Sequence, residues 1–431
     1  SRGYDVTLLD ASPCVCAAAS ASWGNAGTLG ASSRTTPLST PSSLPNTLRS
    51  LASGVTDGGG AAAAADAPFA LHRRNLFVHP HALADAYFWL WGLSFCRALL
   101  AGGGLLERSW RRMNEVAQEA TLEVARREGL AAAADMRRDG RITLTLAPAG
   151  PPPPAAEGVA AAKQLLSTHE PSLLPLAPRC IAATLSPEDA QGSCAAFARG
   201  LASRTAERYG SRFVMDAEVT ELRMKEGRVC GVVTRRGEVY EADAVVLCAG
   251  AATPTIARTA GVYVPIQPLR GYSWTAPIPP PCAASAPAGH AVVRPFSLYI
   301  TRLGDELRFT CYGELAPVCA GGGGEATAAL SRRLAALVEY VLPHVRQLCD
   351  WDHAVAWHGA RPLTPDSHAI VGATRVPGLF INSGHSFNGW RDAVHTSRVL
   401  AARVASQTPP EVAYASVYSI SRFQPLPPRN S

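Results

Sequence analysis

The pattern of apolar and polar residues predicts both strands and helices along the chain. A β-type run at residues 4–9 ends at Asp10, and residues 141–147 alternate like a strand with one buried face. Residues 86–100 are almost entirely apolar, and the stretch "MNEVAQEATLEVARREGL" repeats its apolar residues with a helical period. The chain therefore mixes strands with helices.

The middle of the chain predicts two kinds of sheet. Residues 212–250 contain several strands, and the last of them, 244–248, is apolar throughout, as in a parallel sheet that is buried on both faces. Residues 262–316 contain β-type runs that are typical of an antiparallel sheet. A strand and a long helix then follow near the end, so the chain leaves one domain and later returns to it.

Composition narrows the possible partners and sites. The net charge is +6 over 431 residues and no long run of Lys or Arg is present, which argues against nucleic acid as a partner. The 11 cysteines are scattered, and Cys14 and Cys16 have no second pair at zinc spacing, so we predict no metal site. Residues 86–100 are shorter than a membrane span and contain Arg97. We favour a core helix there, with an interfacial anchor as the alternative.

Two motifs near the end of the chain resemble a known family. "WHGARPLTPDSHAIVG", followed by "LFINSGHSFNGW", is similar to the C-terminal signature of FAD-dependent D-amino acid oxidoreductases, and most of all to the D-amino acid dehydrogenase small subunits. The motifs "GYDVTLLDASP", "GNAG", "LSPEDAQGSCAAFARGLA", "AEVTEL", "ADAVVLCAG" and "PLRGYSW" follow that family's order. The resemblance therefore covers nearly the whole chain.

The resemblance implies an α/β fold in which a discontinuous Rossmann-like FAD-binding domain joins an antiparallel-sheet substrate domain. The FAD-binding domain is predicted in three segments and the substrate domain in two: 1–65, 160–260 and 350–425, then 66–150 and 261–349. A Pro-rich loop at residues 148–158, which we expect to be disordered, separates two of these segments.

The family's glycine loop has no counterpart in these 431 residues. The resemblance implies a first strand and a G-x-G-x-x-G loop immediately before "GYDVTLLD", and no such loop follows a strand elsewhere in the chain. That loop lets the backbone approach the pyrophosphate of the dinucleotide. We therefore expect the first strand of the FAD-binding domain to be absent and these residues alone to bind FAD poorly. A non-catalytic remnant remains an alternative.

Nine positions match the family's cofactor contacts. They are Asp10, Asn25, Ala26, Gly27, Val219, Gly250, Gly384, His385 and Gly389. The resemblance implies that Asp10 accepts a hydrogen bond from the ribose, that the backbone at Val219 brackets the adenine, and that the "GNAG" and "SGHSFNGW" segments run beside the flavin. The last helix would then direct its N-terminus toward the negative charge of the reduced flavin.

Arg361 in "GARPLTPD" matches the position that binds the substrate carboxylate in this family. A guanidinium can grip a carboxylate with two parallel hydrogen bonds. Tyr272 in "LRGYSW" could add a hydroxyl to the same carboxylate, whereas Arg270 and His358 are weaker candidates. The implied function is oxidative deamination of a D-amino acid, or a similar amine, by hydride transfer to the flavin.

Other features of the function stay open at this stage. An oxygen-using amine oxidase of the sarcosine or glycine type has the same implied fold, and it would differ in its electron acceptor. The expected partners are a small D-amino acid and an acceptor such as a quinone or an electron carrier, and peripheral membrane contact is compatible with the pattern. The compartment, cytoplasmic or mitochondrial, is not decided by the sequence.

Overall fold

A computed structural model describes most of the chain: residues 3–18, 20–32, 75–100, 104–147, 154–317, 325–405 and 417–423. The described residues form these strands: β1 (Thr7–Leu9), β2 (Thr28–Leu29), β3 (Leu76–Val78), β4 (Arg141–Leu146), β5 (Cys180–Ser186), β6 (Ala190–Gln191), β7 (Arg212–Val214), β8 (Val219–Lys225), β9 (Arg228–Thr234), β10 (Val239–Glu241), β11 (Val245–Leu247), β12 (Gln267–Pro277), β13 (His290–Arg294), β14 (Leu298–Leu303), β15 (Glu306–Leu315), β16 (Val355–Leu363), β17 (Ile370–Ala373) and β18 (Leu379–Ser383). The α-helices among the same residues are α1 (Pro80–Leu83), α2 (Ala86–Leu100), α3 (Gly104–Arg127), α4 (Ala156–His169), α5 (Cys194–Tyr209), α6 (Thr253–Arg258), α7 (Glu325–Val341), α8 (Pro343–Arg346) and α9 (Gly389–Val404). Most of the predicted Pro-rich loop lies outside the described residues, and its last residues belong to α4.

An eight-stranded sheet is the largest element of the fold. Its strands lie in the order β16-β12-β15-β14-β13-β4-β5, and β3 pairs with β15. The pairs β13·β4 and β15·β3 are parallel, and the other neighbours are antiparallel. The predicted antiparallel sheet is therefore present, with two parallel pairs that the sequence pattern did not predict.

The two faces of this sheet differ in chemistry because side chains alternate along each strand. On one face, Leu144, Leu298 and Phe309 are fully buried against α4, α7 and the 3-10 helix Pro171–Arg179. The opposite side, which we call the polar face, carries Arg141, Ser273, Thr275, His290, Tyr299, Thr301, Arg308, Thr310 and Arg361. A polar surface on a large sheet is available for a site.

Three smaller sheets form the Rossmann-like part. β1 pairs in parallel with β7, β11 pairs in parallel with β18, and β8, β9 and β10 form an antiparallel meander. A second apolar core, with Leu222, Val264 and Ile381 among its members, lies between them. Near β1, Tyr4, Val6 and Leu8 remain 54%, 53% and 42% exposed, so β1 adds little to this core.

Strand pairing changes two of the predicted domain segments. β5 and β16 were predicted within the FAD-binding segments 160–260 and 350–425, yet both pair in the large sheet. β16 contributes nine residues to an uninterrupted register with β12. The period of a strand does not reveal which sheet it joins, which explains the difference. The substrate site and the sheet therefore share β16.

α2 differs from the predicted core helix, because only one of its sides is buried. Tyr87, Phe88, Trp91 and Leu99 face the interior, and the other side faces solvent. In the part of the chain that the structure describes, no helix is both long enough and apolar enough to cross a membrane.

Candidate functional site

The segment Trp23 to Thr28 crosses the polar face and contacts one strand after another. Gly24 packs so closely on the Trp357 ring that a Cβ there would overlap it. The Asn25 carbonyl accepts a hydrogen bond from Arg308 Nη1 at 3.2 Å, and the Ala26 carbonyl accepts one from Thr301 Oγ1 at 2.7 Å. These contacts hold the backbone of the predicted "GNAG" segment against β16, β15 and β14.

Gly27 needs the freedom that only glycine has. Its φ is +68°, and a Cβ would lie 2.9 Å from the carbonyl oxygen of Gly192. The Asn25 side chain accepts a hydrogen bond from the Gly27 N–H at 3.0 Å, which fixes the turn. Asn25, Ala26 and Gly27 therefore form one rigid turn on the polar face, and their contact with a cofactor stays a prediction.

His290 ties this turn to β13. Its Nδ1 lies 2.7 Å from Thr301 Oγ1 and 3.1 Å from the Ile300 carbonyl, and its Nε2 lies 2.8 Å from Thr28 Oγ1. Because a carbonyl only accepts, Nδ1 carries a proton. Burial lowers the pKa of His290 to about 3, so the ring is neutral and its Nε2 is an acceptor facing the Thr28 hydroxyl.

His290→Gln should make the free energy of unfolding less dependent on pH between pH 7 and pH 5. The ordinary pKa of 6.5 applies in the unfolded state and the folded pKa is about 3, so the unfolded chain binds a proton first. Stability is lost as the pH falls below 6.5, by about 2 kcal/mol per such histidine at pH 5. Urea unfolding at pH 7 and pH 5 measures the free energy of unfolding. Between these two pH values, that free energy should fall by about 2 kcal/mol less in the variant than in the wild type. The exposed His169→Gln is the control, and an equal loss in all three proteins would contradict the assignment.

Arg361 lies at the other end of the polar face, opposite Leu269 in the register of β16 with β12. Its guanidinium extends over Gly271, where a Cβ would overlap Nη1 and Cζ. Burial lowers the pKa of Arg361, and Tyr299 and Cys311 partly oppose that shift. No carboxylate of the described residues lies within 4.0 Å of this guanidinium, and no hydrogen bond to it is formed by them. A half-buried cation that lacks a counter-charge among the described residues favours an anionic ligand.

The loop between β18 and α9 closes over Arg361. The Ser386 N–H donates to the Pro362 carbonyl at 3.1 Å, and the Thr364 N–H donates to Ser386 Oγ at 3.2 Å. Phe387 consequently lies over the guanidinium, with 5.7 Å between Arg361 Cζ and the ring centroid. This contact gives Arg361 a hydrophobic cover and leaves its donors for a ligand.

The same loop leads into the N-terminus of α9. Gly384 has a φ of +75°, and a Cβ there would meet Thr364 Cγ2 at 2.6 Å. His385 Nε2 lies 3.0 Å from Thr396 Oγ1, and burial lowers the pKa of His385. The neutral ring thus fixes the loop to the helix. Asn388 makes no side-chain capping bond, so the amides that begin at Gly389 keep their partial positive charge.

Ser273 and Thr310 stand side by side between Arg361 and Arg308. They face each other in the pairing of β12 with β15, and both hydroxyls are buried without a hydrogen-bond partner among the described residues. Arg308 is 7% exposed, and its Nε donates to Thr275 Oγ1 at 2.9 Å. Burial lowers the pKa of Arg308 to about 10. Unsatisfied hydroxyls beside a buried cation indicate a place for a polar ligand.

Two further groups of predicted residues come together away from the polar face. The Asp10 carboxylate accepts from the Ser12 N–H at 2.8 Å at the end of β1, and the Asp10 carbonyl accepts from Ala217, close to Val219 at the start of β8. The Gly250 carbonyl accepts from Ser383 Oγ at 3.2 Å, next to Gly384. The fold therefore brings Asp10 near Val219 and Gly250 near Gly384, and their ligand roles stay predictions.

Tyr272 is a correction, because the sheet separates it from Arg361. It lies on the apolar face, 1% exposed, and its hydroxyl donates to Glu314 Oε2 at 2.7 Å. Arg270 Nη1 donates to the same oxygen at 2.9 Å, and the His358 ring centroid is 6.2 Å from that of Tyr272. Adjacent residues of a strand point to opposite faces, so Tyr272 cannot share a carboxylate with Arg361. These residues form a buried polar cluster in the core.

Tyr299 and Arg308 are site residues that the sequence reasoning missed. Tyr299 projects from β14 on the face of Arg361, and its hydroxyl has no hydrogen bond to a described residue. Both residues lie in alternating strands, where the pattern predicts which residues share a face but not what that face meets. Their signal is the polar residues at alternate positions around them, such as Thr301 and Thr310, which by themselves indicate only a strand.

Comparison with known proteins decides the family. A family model described as FAD-dependent oxidoreductase, DAO, matches residues 1–403. The chain belongs to the DAO family of FAD-dependent oxidoreductases. The predicted family, the α/β fold class and the FAD-dependent enzyme class are confirmed for this DAO-family protein.

Curated relatives are about one-third identical to the chain over the segments that match. A D-amino acid dehydrogenase of Sinorhizobium medicae is 35% identical over 238 residues, which are 55% of this chain and 54% of the relative. One of Rhizobium johnstonii is 33% identical over 240 residues, 56% of this chain and 55% of the relative. The chain spans about half the length of the curated relatives it matches.

Solved structures show the fold. Glycine oxidase from Geobacillus kaustophilus superposes with a TM-score of 0.59 at 18% identity, covering 98% of this chain and 93% of that one. Iminodiacetate oxidase from Chelativorans sp. BNC1 gives 0.55 at 16% identity, covering 96% and 93%. At such identities the likeness concerns the fold alone.

The residues of the DAO-family protein fit the flavin that the family uses. Two sets of polar groups can bind a ligand. The Ser273 and Thr310 hydroxyls have no hydrogen-bond partner among the described residues, and the N-terminus of α9 has no side-chain cap. They, together with the turn at Asn25 to Gly27, would hold the flavin, and Asp10 and Val219 would hold the adenosine. The fit rests on hydrogen-bonding capacity that the described residues leave unused.

Proposed function

We propose that the protein catalyses the oxidative deamination of a D-amino acid and passes the electrons to a quinone or another electron carrier. When bound, FAD would supply the redox chemistry, the two-electron oxidation of the substrate amine to an imine, and water would then hydrolyse the imine. The observation that carries the proposal is Arg361, a half-buried guanidinium on the polar face for which the described residues provide no counter-charge. The curated relatives named D-amino acid dehydrogenase support the choice of substrate.

Each residue around Arg361 has a part in orienting the substrate. The guanidinium would bind the carboxylate with two parallel bonds, and Tyr299 would add its phenol from the same face. Phe387 would exclude water from this end of the site, because its ring covers the cation. A carboxylate fixed in this way sets the direction of the Cα–H bond, and orientation of that kind lowers the barrier to hydride transfer.

No described side chain must act as a general base in this scheme. His385 is occupied by Thr396, and His358 lies with Tyr272 on the other face of the sheet. The substrate amine needs only to be neutral when it reacts, so solvent can take its proton. The chain's own contribution is binding, orientation and exclusion of water.

A substrate panel with the FAD-loaded protein tests the proposal. We expect D-amino acids to reduce an artificial dye faster than their L-enantiomers, sarcosine, glycine or L-proline, with little hydrogen peroxide formed. The solved neighbours include both oxidases and a dehydrogenase, so the fold does not choose the acceptor. Activity confined to sarcosine, glycine or L-proline, with stoichiometric peroxide, would replace the proposal with the amine oxidase alternative.

Gly271→Ala should weaken the reaction although it removes no polar group. The new Cβ would overlap the Arg361 guanidinium, which must move away from its position over β12. We expect kcat/KM for the best D-amino acid to fall by about tenfold, as for a displaced orienting group. Gly92→Ala is the control, since a Cβ there meets no atom within 4 Å. Steady-state kinetics measure both variants. If kcat/KM of Gly271→Ala equals that of Gly92→Ala and the wild type, Gly271 does not position Arg361.

A further inference from the structure

Apolar side chains cover the solvent side of α2. Trp89, Leu90, Leu93 and Leu100 are 56%, 51%, 62% and 87% exposed. Leu90, Leu93 and Leu100 follow Trp89 by one, four and eleven residues, which places all four side chains on one side of the helix. Soluble proteins seldom expose large apolar residues in a contiguous row, so this surface, which we call the α2 face, indicates a contact with another apolar surface.

The opposite side fixes α2 firmly to the fold. Trp91 Nε1 donates to the Leu363 carbonyl at 3.0 Å, and the Tyr87 hydroxyl donates to the Val264 carbonyl and accepts from the Ile266 N–H. Tyr87, Phe88, Trp91 and Leu99 are all less than 9% exposed. Packing of the buried side therefore fixes the orientation of α2, with the α2 face toward solvent. Leu363 also belongs to β16, so the α2 face is attached to the strand that carries Arg361.

Positive charge accompanies the α2 face. Arg97 is the one charged residue of α2 and is exposed on this side. The whole chain carries a net charge of +6. A basic residue beside an apolar surface complements an anionic lipid surface, and tryptophan prefers the interface between headgroups and acyl chains.

We propose that the α2 face docks the protein onto the surface of an anionic lipid bilayer. An interfacial helix needs only one apolar face that enters the boundary between headgroups and acyl chains. A stable dimer buries about 800 Å² on each partner, with roughly 20 residues, and four side chains of a single helix fall short of that. The proposal does not depend on the proposed function, because docking requires no turnover.

Co-sedimentation with vesicles measures the docking directly. We expect the purified protein to bind vesicles of phosphatidylcholine with phosphatidylglycerol, and to bind pure phosphatidylcholine more weakly. The double variant Leu90→Gln/Leu93→Gln should lower the partition coefficient by about tenfold or more, since it removes apolar area from the contact. Ile181→Gln/Val239→Gln is the matched control, with side chains that are 51% and 50% exposed elsewhere on the molecule.

Two further measurements separate docking onto lipid from self-association of the protein. Arg97→Gln should lower binding to the anionic vesicles by about fivefold and reduce its salt dependence. Brominated lipids should quench tryptophan fluorescence in the wild type and less in Trp89→Phe. Equal binding by the α2 and control variants would overturn the proposal. Sedimentation velocity could also overturn the proposal. If the wild type is a dimer and Leu90→Gln/Leu93→Gln becomes a monomer with unchanged vesicle binding, the α2 face binds a second copy of the chain.

Discussion

Replacing Arg361 by lysine should lower kcat/KM for D-amino acids by about a hundredfold, or ~2.7 kcal/mol of transition-state stabilisation. Lysine keeps the charge but cannot form two parallel hydrogen bonds to a carboxylate. The loss should appear in kcat as well as KM, because the carboxylate contact also sets the angle at which Cα–H is presented. Steady-state dye-reduction kinetics of the FAD-loaded variant give both numbers.

Tyr272→Phe is the matched control for that experiment. Its hydroxyl bonds Glu314 on the opposite face of the sheet, so we expect kcat/KM within about twofold of the wild type. Flavin content should be the same in all three proteins, since neither residue is assigned to the cofactor. Loss of flavin from Arg361→Lys with normal kinetics of the remaining holoenzyme would show that Arg361 is a structural residue.

Glu314→Gln should lower the free energy of unfolding by about 3 kcal/mol. Glu314 is 3% exposed and accepts hydrogen bonds from both Arg270 and Tyr272 at the same oxygen. Removing one partner of a buried ion pair leaves the other charge in a medium of low polarity, and such changes cost roughly 3–5 kcal/mol. Glutamine can still accept both bonds, which places the expected loss at the lower end.

Urea unfolding with an exposed pair as control measures this loss. Glu218→Gln removes the partner of Arg235, whose Nη2 lies 2.6 Å from Glu218 Oε1 on the surface. Exposed pairs of this kind contribute about 0–1 kcal/mol. If Glu314→Gln and Glu218→Gln are equally mild, the cluster around Glu314 does not stabilise the core as we describe.

The sequence predicted Arg361 and the two loops around it because each lies in a motif that is continuous along the chain. Asn25, Gly384 and His385 belong to such motifs as well, and their contact with a cofactor stays a prediction. Motifs are local, so their residues need no knowledge of the sheet. The α/β fold class was predictable for the same reason, since each strand and helix has its own period.

What failed depended on how distant strands pair. Tyr272 is one residue from Gly271, yet only the register of β12 with β16 shows that it points away from Arg361. Arg308 could be assigned to the site only from the structure, in which its guanidinium on β15 donates to the Asn25 carbonyl. β16 itself joined the large sheet against our domain prediction. A strand's own pattern gives its two faces but neither its partner nor what covers each face.

The helix α2 shows the same limit in another form. Its residues are so apolar that the sequence favoured a core position, but a helix at the surface can also be apolar on its outer side. Burial on one side and exposure of Trp89 and Leu93 on the other became evident only from the packing of α2 on β16.

The central claim is that Arg361 binds the carboxylate of the substrate, and a comparison of D-alanine with D-alaninamide tests it most directly. The amide keeps the amine and the Cα–H bond but has no charged carboxylate. We predict that the wild type prefers D-alanine in kcat/KM by about a hundredfold or more, and that Arg361→Lys loses most of this preference because only the reaction of the acid declines. A ratio of acid to amide that is the same in both proteins would contradict the account.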